Sequence, residues 1–370
     1  MKTRAAVIRE ANTDWSVEEI ELDDPGPGEI LVKTLAAGMC HSDEHGRDGS
    51  MPMPFPIIGG HEGSGEVIGL GEGVTEYEVG DHIACSFIPS CGRCTWCASG
   101  QANLCDLGMH LLEPGMIAGG FRHHDADGND LTPMLKLGTF SEHMVLHVDS
   151  AVKIGRDIPA GPAALVSCGV ATGWGSVVNR AETKPGDTVV IVGCGGLGTA
   201  AVQAAKIAGA ANVVAVDPSE FKREQAETFG ATHSAASMED ATAIVGEITH
   251  GRMANAVILT TGTLTGDQVL PAQFMTSKGG TLVATAVANA EDMEVSLNMF
   301  EFAMMNKQLK GCLFGSSSPR KEIPHLLDMY QGGQLQLDEM ITNTYTLDQV
   351  NDGYADMLSH KNIRGVILFD

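Results

Sequence analysis

Short apolar runs, interrupted about every ten residues by glycine, proline or aspartate, fill the first 150 residues. The segments 30–32 and 65–68 are examples. This spacing predicts a barrel-like, antiparallel β domain. The stretch 106–139 carries turn signals, including Gly119-Gly120 and the run 123–128, and is predicted to be loop.

The pattern changes near Thr172, after which strand and helix signals alternate. Residues 188–192 form a continuous apolar run, as in buried parallel strands, and an alanine-rich helix is predicted over 196–209. The later elements are a helix at 219–229, strands at 213–216, 256–259 and 281–284, helices around 323–330 and 348–359, and a strand at 366–368. The order predicts a doubly wound α/β sheet that follows the β-rich part.

Charge and composition exclude several classes of protein. Asp and Glu number 47 against 23 Lys and Arg, a net charge of −24, which argues against nucleic-acid or anionic-membrane partners. The first ten residues lack an apolar signal region, and no apolar run approaches the ~20 residues of a membrane span. A cytoplasmic location is therefore expected, where clustered cysteines more often bind metal than form disulfides.

Four of the nine cysteines lie within fifteen residues, as Cys91-x2-Cys94-x2-Cys97-x7-Cys105. Four thiolates match a closed tetrahedral zinc site with no open position for a substrate, so its role would be structural. An iron–sulfur cluster and reduced surface thiols are the alternatives.

A glycine-rich turn, Gly193-Cys194-Gly195-Gly196-Leu197-Gly198, follows the apolar run and opens the alanine-rich helix. In a G-x-G-x-x-G turn the first glycine makes the turn, the second admits a pyrophosphate and the third packs the helix on the sheet. Asp217 follows Gly198 by nineteen residues and would accept ribose hydroxyls while repelling a 2′-phosphate. The motif predicts NAD(H) binding; the alternative is a Rossmann domain that has lost its ligand.

A third set of polar residues is scattered through the first half of the chain. It comprises the run 40–45, Gly60-His61-Glu62 and Cys168. Spacing alone leaves two interpretations open: ordinary structural residues, or a Cys-His-Cys zinc site whose fourth position is free for substrate.

The run Gly60-His61-Glu62-x2-Gly65-x5-Gly71-x2-Val74 resembles the zinc signature of the medium-chain zinc-dependent alcohol dehydrogenases. The other motifs also stand in that family's order along the chain: Cys40, the four-cysteine segment, Cys168, the glycine turn and Asp217. The resemblance covers essentially the whole chain. It implies a GroES-like catalytic domain of 1–169 with 314–370, and a Rossmann domain of 170–313.

The resemblance also implies a role for each residue of the catalytic centre. Cys40, His61 and Cys168 would bind a catalytic zinc, with Glu62 as a transient ligand. Asp43 would orient His61. Ser42 would contact the substrate oxygen, His45 would end a proton relay to solvent, and Phe87 would line the alcohol pocket. With the four-cysteine site, the chain would hold two zinc ions.

The same resemblance assigns the nucleotide contacts. Gly193, Gly195, Gly196, Leu197, Gly198 and Asp217 belong to the glycine turn and its acidic partner. Lys222 would reach the adenosine ribose, Thr172 would lie against the nicotinamide, and His41 and Arg364 would flank the pyrophosphate. His41 stands where many relatives carry arginine, which would weaken the charge pairing there.

Two branches of the family are candidates. The segments 38–43, 87–92, 103–108 and 351–358 resemble the bacterial nicotinoprotein alcohol dehydrogenases, which keep NAD bound and pass electrons to an external acceptor. The alternative is a thiol-adduct formaldehyde dehydrogenase, which oxidises an S-hydroxymethyl thiol with exchangeable NAD. A zinc-bearing Rossmann protein without turnover is a third interpretation.

The partner would be a small alcohol or aldehyde. The loop 112–138 resembles that of dimeric relatives, so a homo-oligomer is expected.

Overall fold

Strands and helices follow the apolar pattern of the sequence in the computed structural model, which describes residues 1–370. The strands are β1 (Lys2–Ile8), β2 (Ser16–Leu22), β3 (Glu29–Met39), β4 (Ile57–Ile58), β5 (Glu62–Leu70), β6 (His82–Cys85), β7 (His123–His124), β8 (Asp130–Pro133), β9 (His143–His147), β10 (Ala151–Ile154), β11 (Thr188–Val192), β12 (Asn212–Val216), β13 (His233–Ala235), β14 (Ala254–Leu259), β15 (Thr276–Ala284), β16 (Gln308–Gly311), β17 (Ile341–Tyr345) and β18 (Arg364–Leu368).

The α-helices are mostly short and connect these strands. They are α1 (His41–Asp48), α2 (Thr95–Ala98), α3 (Ala160–Leu165), α4 (Gly169–Gly175), α5 (Gly196–Ile207), α6 (Glu220–Phe229), α7 (Met238–Ile248), α8 (Val269–Met275), α9 (Met299–Met304), α10 (Pro319–Gln331) and α11 (Val350–Leu358). None of them is both long and apolar enough to cross a membrane.

The chain divides into two units. The first contains Met1–Cys168 and Ser317–Asp370, and the second contains Gly169–Ser316. In the first unit, strands β1, β2, β7, β8 and β4 close into a small barrel in that order. A seven-stranded sheet accompanies the barrel, with the order β10-β6-β5-β3-β18-β17 and β9 paired to β3.

Strand β3 is the element of this sheet that positions the site. Its antiparallel register with β5 sets Gly38 opposite Glu62, and its register with β18 sets Met39 opposite Gly365. The chain leaves β3 at Cys40 and enters helix α1. Residues far apart in sequence, from β5 and β18, are thereby brought to the carboxyl end of one strand.

The prediction that 106–139 is loop was wrong for two segments. His123–His124 forms strand β7, and β8 follows directly after it; the two close the barrel between β2 and β4. These strands have two and four residues, so local turn signals dominated the prediction. They pair with each other as a short antiparallel hairpin, and each also pairs with a strand far away in sequence, β7 with β2 and β8 with β4. Lys136 holds the rest of the loop in place, because its buried Nζ donates to the carbonyls of 113, 114 and 115 at 2.6, 3.2 and 3.0 Å.

The second unit is a six-stranded sheet in the order β13-β12-β11-β14-β15-β16, with every pair parallel. This is the 3-2-1-4-5-6 order of a doubly wound dinucleotide-binding domain. Its core contains valines of β11 and β12 packed with α7 and α8 residues such as Val245 and Met275. The predicted fold class, a Rossmann sheet with a β-rich domain, is confirmed.

Candidate active site

Four side chains of the first unit meet at the end of β3. The ligand atoms of Cys40, His61, Glu62 and Cys168 all lie within 4.8 Å of one another. Cys40 follows β3, His61 and Glu62 begin β5, and Cys168 comes after α3. His61, Glu62 and Cys168 are buried. The structure therefore brings together the three predicted zinc ligands and the predicted transient ligand.

Asp43 connects the elements of this cluster and is wholly buried. Its Oδ1 lies 2.9 Å from Nδ1 of His61 and accepts the backbone N–H of Gly60 at 3.2 Å. Its Oδ2 accepts the backbone N–H of Cys40, also at 3.2 Å. A carboxylate that binds one ring nitrogen of a histidine fixes the ring and leaves the other nitrogen for a metal ion.

The remaining atoms of the cluster fit a zinc ion. Nε2 of His61 is buried and has no hydrogen-bond partner in the protein, which is a costly state for a polar atom without a ligand. Two cysteine sulfurs and one imidazole are the donor set of a catalytic zinc with an open fourth position. The hydrogen bond from Cys168 and the neighbouring His61 hold the pKa of Cys40 well below its usual value, which favours the thiolate that a metal requires.

Glu62 forms a buried ion pair with Arg364, the first residue of β18. Both side chains are almost inaccessible to solvent, at 0% and 4%. Burial raises the pKa of Glu62 to about 7, although the charge of Arg364 opposes the shift. The predicted transient ligand is thus held beside the cluster by a cation, a pairing that the sequence did not indicate.

Three further predicted residues, His41, Ser42 and His45, lie on helix α1, and a fourth, Phe87, follows strand β6. The Ser42 hydroxyl is 3.8 Å from the Cys40 sulfur. Nδ1 of the buried His45 lies 2.9 Å from the hydroxyl of Ser50, and its ring centre is 5.6 Å from that of His41. The Phe87 ring meets the His61 ring edge to face, with centres 5.6 Å apart.

The four clustered cysteines form a second metal-binding geometry in the first unit, around helix α2. The ligand atoms of Cys91, Cys94, Cys97 and Cys105 lie within 4.8 Å of one another, with sulfur separations of 3.9 Å for 91–97 and 4.0 Å for 94–105. Tetrahedral zinc with Zn–S distances of about 2.3 Å would space its sulfurs by about 3.8 Å. A disulfide would need about 2.05 Å, and all nine cysteines are free. The geometry fits zinc.

The glycine turn of the second unit joins β11 to α5. Gly193 has φ +94°, and a Cβ there would lie 2.7 Å from the backbone of Thr260 and Thr261. A Cβ on Gly198 would lie 1.8 Å from the carbonyl oxygen of Gly193. By contrast, a Cβ on Gly195 would meet nothing within 4 Å, and no side chain caps α5. Space is therefore open beside Gly195, and no N-cap side chain takes up the first N–H groups of α5, as an anion site at a helix N-terminus requires.

Asp217 follows β12 and turns back to this glycine turn. Its Oδ2 accepts the N–H of Cys194 at 2.8 Å, and its Oδ1 accepts the N–H of Ser219 at 2.9 Å. The bond to Cys194 shows that the acidic residue also fixes the turn, a role the motif did not indicate. Thr172 lies buried in α4 and Lys222 in the first turn of α6.

Comparisons with known proteins agree with these two units. Residues 26–156 match the alcohol dehydrogenase GroES-like domain, and residues 196–332 match the zinc-binding dehydrogenase domain. A solved structure of an alcohol dehydrogenase zinc-binding domain protein from Burkholderia ambifaria has a TM-score of 0.93 at 28% identity and covers 100% of this chain and 99% of its own.

Relatives of known sequence match over the full length. Alcohol dehydrogenase B of Mycobacterium tuberculosis is 49% identical over 370 residues, covering 100% of this chain and 99% of its own. NDMA-dependent alcohol dehydrogenase of Amycolatopsis methanolica is 48% identical, with the same coverage. The S-(hydroxymethyl)glutathione dehydrogenase of Paracoccus denitrificans is more distant, at 33% identity.

Fold and site together define a dehydrogenase with a metal-binding catalytic domain and a dinucleotide-binding domain. The chain belongs to the zinc-binding alcohol dehydrogenase family, and it is an oxidoreductase that acts on CH–OH groups of alcohols. The predicted family and activity are confirmed.

Proposed function

We propose that the protein oxidises a primary alcohol at the Cys40–His61–Cys168 cluster, transfers a hydride to NAD held by the second unit, and keeps that NAD bound while an external acceptor removes the electrons. The catalytic part rests on the buried, unpaired Nε2 of His61 beside two cysteine sulfurs. The bound-nucleotide part is supported by the 48% identity to an NDMA-dependent relative.

Cys40, His61 and Cys168 would hold the catalytic metal, and Asp43 would keep His61 in the orientation that ligation requires. Zinc bound here supplies Lewis acidity, which lowers the pKa of an alcohol oxygen. Phe87, edge-on to His61, would give the substrate carbon an apolar wall. The Glu62–Arg364 pair keeps a carboxylate within ligand distance without leaving its charge uncompensated.

The alcohol proton must leave the buried site, and we assign this to residues of α1. The Ser42 hydroxyl lies beside Cys40 and would accept the proton from the alcohol. His45 would carry it onward, because its imidazole lies buried on the same helix with Nδ1 2.9 Å from the Ser50 hydroxyl. His41, on the same helix, would instead contact the pyrophosphate together with Arg364.

NAD(H) would bind along the carboxyl edge of the second unit's sheet. The pyrophosphate would lie at Gly195, Gly196 and Leu197, where a Cβ on Gly195 would meet nothing within 4 Å and no side chain caps α5. Asp217 and Lys222 would bind the adenosine ribose, and Thr172 would contact the nicotinamide. The Cys40–His61–Cys168 cluster would hold a catalytic zinc ion and the four-cysteine site a structural one, which makes two zinc ions per chain.

We further propose that the protein is a homodimer or larger homo-oligomer. Helix α9 exposes Met299, Phe300 and Met304 at 63%, 77% and 65%. Strand β16 is the last of its sheet and has a free edge. Light scattering after size exclusion should give at least twice the chain mass of 38.8 kDa, and Phe300→Glu should shift it towards the monomer. A monomeric wild type would contradict the proposal.

The test of the reaction is turnover of a primary alcohol with NDMA and no added NAD. Activity under these conditions, with NAD(H) released when the protein is denatured, is the expected result. The alternative, a thiol-adduct formaldehyde dehydrogenase, predicts turnover of S-hydroxymethylglutathione only when NAD is supplied. That outcome, in a protein without bound nucleotide, would replace the nicotinoprotein assignment.

A further inference from the structure

A cavity of about 780 Å³ lies at the amino edge of the second unit's sheet. Its lining includes Thr188 and Asn212, the first residues of β11 and β12. The glycine turn begins after Val192, at the other end of β11, and the five residues of this strand span about 13 Å. The cavity and the predicted nucleotide site are therefore at opposite edges of the same sheet and share no residue.

One side of the cavity is the loop 249–253, which leads into β14. Two of its non-glycine residues, His250 and Met253, have positive φ values of +52° and +68°. Thr249 holds the loop, because its Oγ1 accepts the N–H of Met253 at 2.9 Å and its carbonyl accepts Nε–H of Arg252 at 3.1 Å. The two terminal nitrogens of Arg252 have no acceptor in the protein. Strained backbone of this kind clusters at ligand sites.

The opposite side is an irregular start of β15. The ladder between the two strands advances by two residues on β14, over 254–256, and by five on β15, over 276–281. The extra residues leave the ladder, and Lys278 is one of them. The N–H of Gly279 donates to the carbonyl of Met305 at 2.8 Å and anchors this bulge. The Lys278 ammonium lines the cavity and has no acceptor in the protein. Bulges are frequent beside functional sites, where they redirect a side chain.

The lining of the cavity is cationic in a chain that is strongly acidic. It contains Arg252, Lys278 and Lys307 but a single carboxylate, that of Glu301, whereas the whole chain has 47 acidic and 23 basic residues. The Lys307 side chain is 4% exposed and already forms an ion pair with Glu301. Two cations are therefore left without a counter-ion. Phe274, which is 44% exposed, adds apolar surface to the same cavity.

We propose that this cavity binds a phosphate monoester with an apolar body, with Arg252 and Lys278 holding the phosphate and Phe274 contacting the body. The planar guanidinium pairs with two phosphate oxygens, and a second cation matches the second charge of the dianion. A monocarboxylate would leave one of these two cations unmatched. The volume lies within the range of about 300–1,000 Å³ that is usual for small-molecule pockets. The protein would thus have a second small-molecule site, separate from the site of alcohol oxidation.

The experiment is a calorimetric titration of phenyl phosphate into the full-length, zinc-loaded protein saturated with NADH, so that the glycine turn is occupied. Above pH 7 this probe is mostly a dianion, because its second pKa is about 6. We expect saturable binding to one site per chain. Arg252→Gln and Lys278→Gln should each weaken it about tenfold, as the loss of one charge-assisted hydrogen bond predicts. Phe274→Ala should weaken binding of phenyl phosphate but change that of inorganic phosphate far less.

Lys321→Gln is the matched control, because Lys321 is an exposed lysine of α10 in the first unit and its loss changes the net charge equally. It should leave the affinity for phenyl phosphate unchanged. Benzoate, which carries one negative charge, should bind about tenfold more weakly than phenyl phosphate. The proposal is overturned if phenyl phosphate does not bind, if either cation variant has no more effect than Lys321→Gln, or if benzoate binds equally well.

Discussion

A histidine buried in the barrel makes the stability of the first unit sensitive to acid. His123 of β7 is inaccessible to solvent, and neither ring nitrogen has a hydrogen-bond partner. Burial lowers its pKa to about 3, with the charges of His124 and Arg122 in the same direction and Asp23 opposed. An unfolded chain would bind this proton near pH 6.5. The contribution of neutral His123 to the free energy of unfolding is therefore fully present above pH 6.5, and it is lost as the pH falls towards 3.

The size of the effect follows from the two pKa values. Between pH 7 and pH 5 the unfolded state takes up the proton and the folded state does not, which costs about 2 kcal/mol. For a domain of roughly 150–250 residues this corresponds to a fall in midpoint of about 4–8 °C. His123→Leu has a similar volume and no proton to bind, so it removes this part of the acid dependence.

The assay is the thermal midpoint of wild type and variant at several values between pH 5 and pH 7. Zinc release and other titrations are common to both proteins, so the difference between them isolates His123. We expect the advantage of His123→Leu to grow by several degrees as the pH falls. His110→Leu, at a side chain 60% exposed, should show no such trend. A difference that does not change with pH would refute the reasoning.

Three more outcomes are expected. Asp43→Asn should weaken zinc binding at the catalytic cluster about 10–100-fold in chelator competition, because His61 loses its orienting charge; equal loss from the four-cysteine site would contradict this. Cys94→Ser should lower the thermal midpoint, since a structural zinc contributes folding free energy, and an unchanged midpoint would refute a structural role. Lys136→Met should cost about 2–3 kcal/mol and expose 112–138 to proteases, because three carbonyls lose their donor; unaltered cleavage would count against that anchoring role.

Features encoded by neighbouring residues were predictable from sequence. The glycine turn and the four-cysteine segment each lie within fifteen residues, and the spacing of their glycines or cysteines alone indicates a nucleotide site or a zinc site. The buried parallel strands were predictable because apolar residues fill both faces, as in β11.

Features that depend on distant pairing were not predictable. The Glu62–Arg364 pair joins residues 302 positions apart, and it exists because β3 pairs with β5 on one side and β18 on the other. Strands β7 and β8 are too short to show a period, and their pairing with the distant strands β2 and β4, which closes the barrel, is not visible in the local sequence. The carboxylate of Asp217 was predicted to face the ribose, yet its bond to Cys194 required knowledge of how β12 lies beside β11.

The content of the purified protein tests the central claim most directly. Native mass spectrometry followed by denaturation should find two zinc ions and one NAD(H) per chain in the wild type. In Cys168→Ser it should find one zinc ion, with the nucleotide retained. A wild type with a single zinc ion, or one whose metal content does not change in Cys168→Ser, would contradict the assignment of Cys40, His61 and Cys168 as the catalytic metal site.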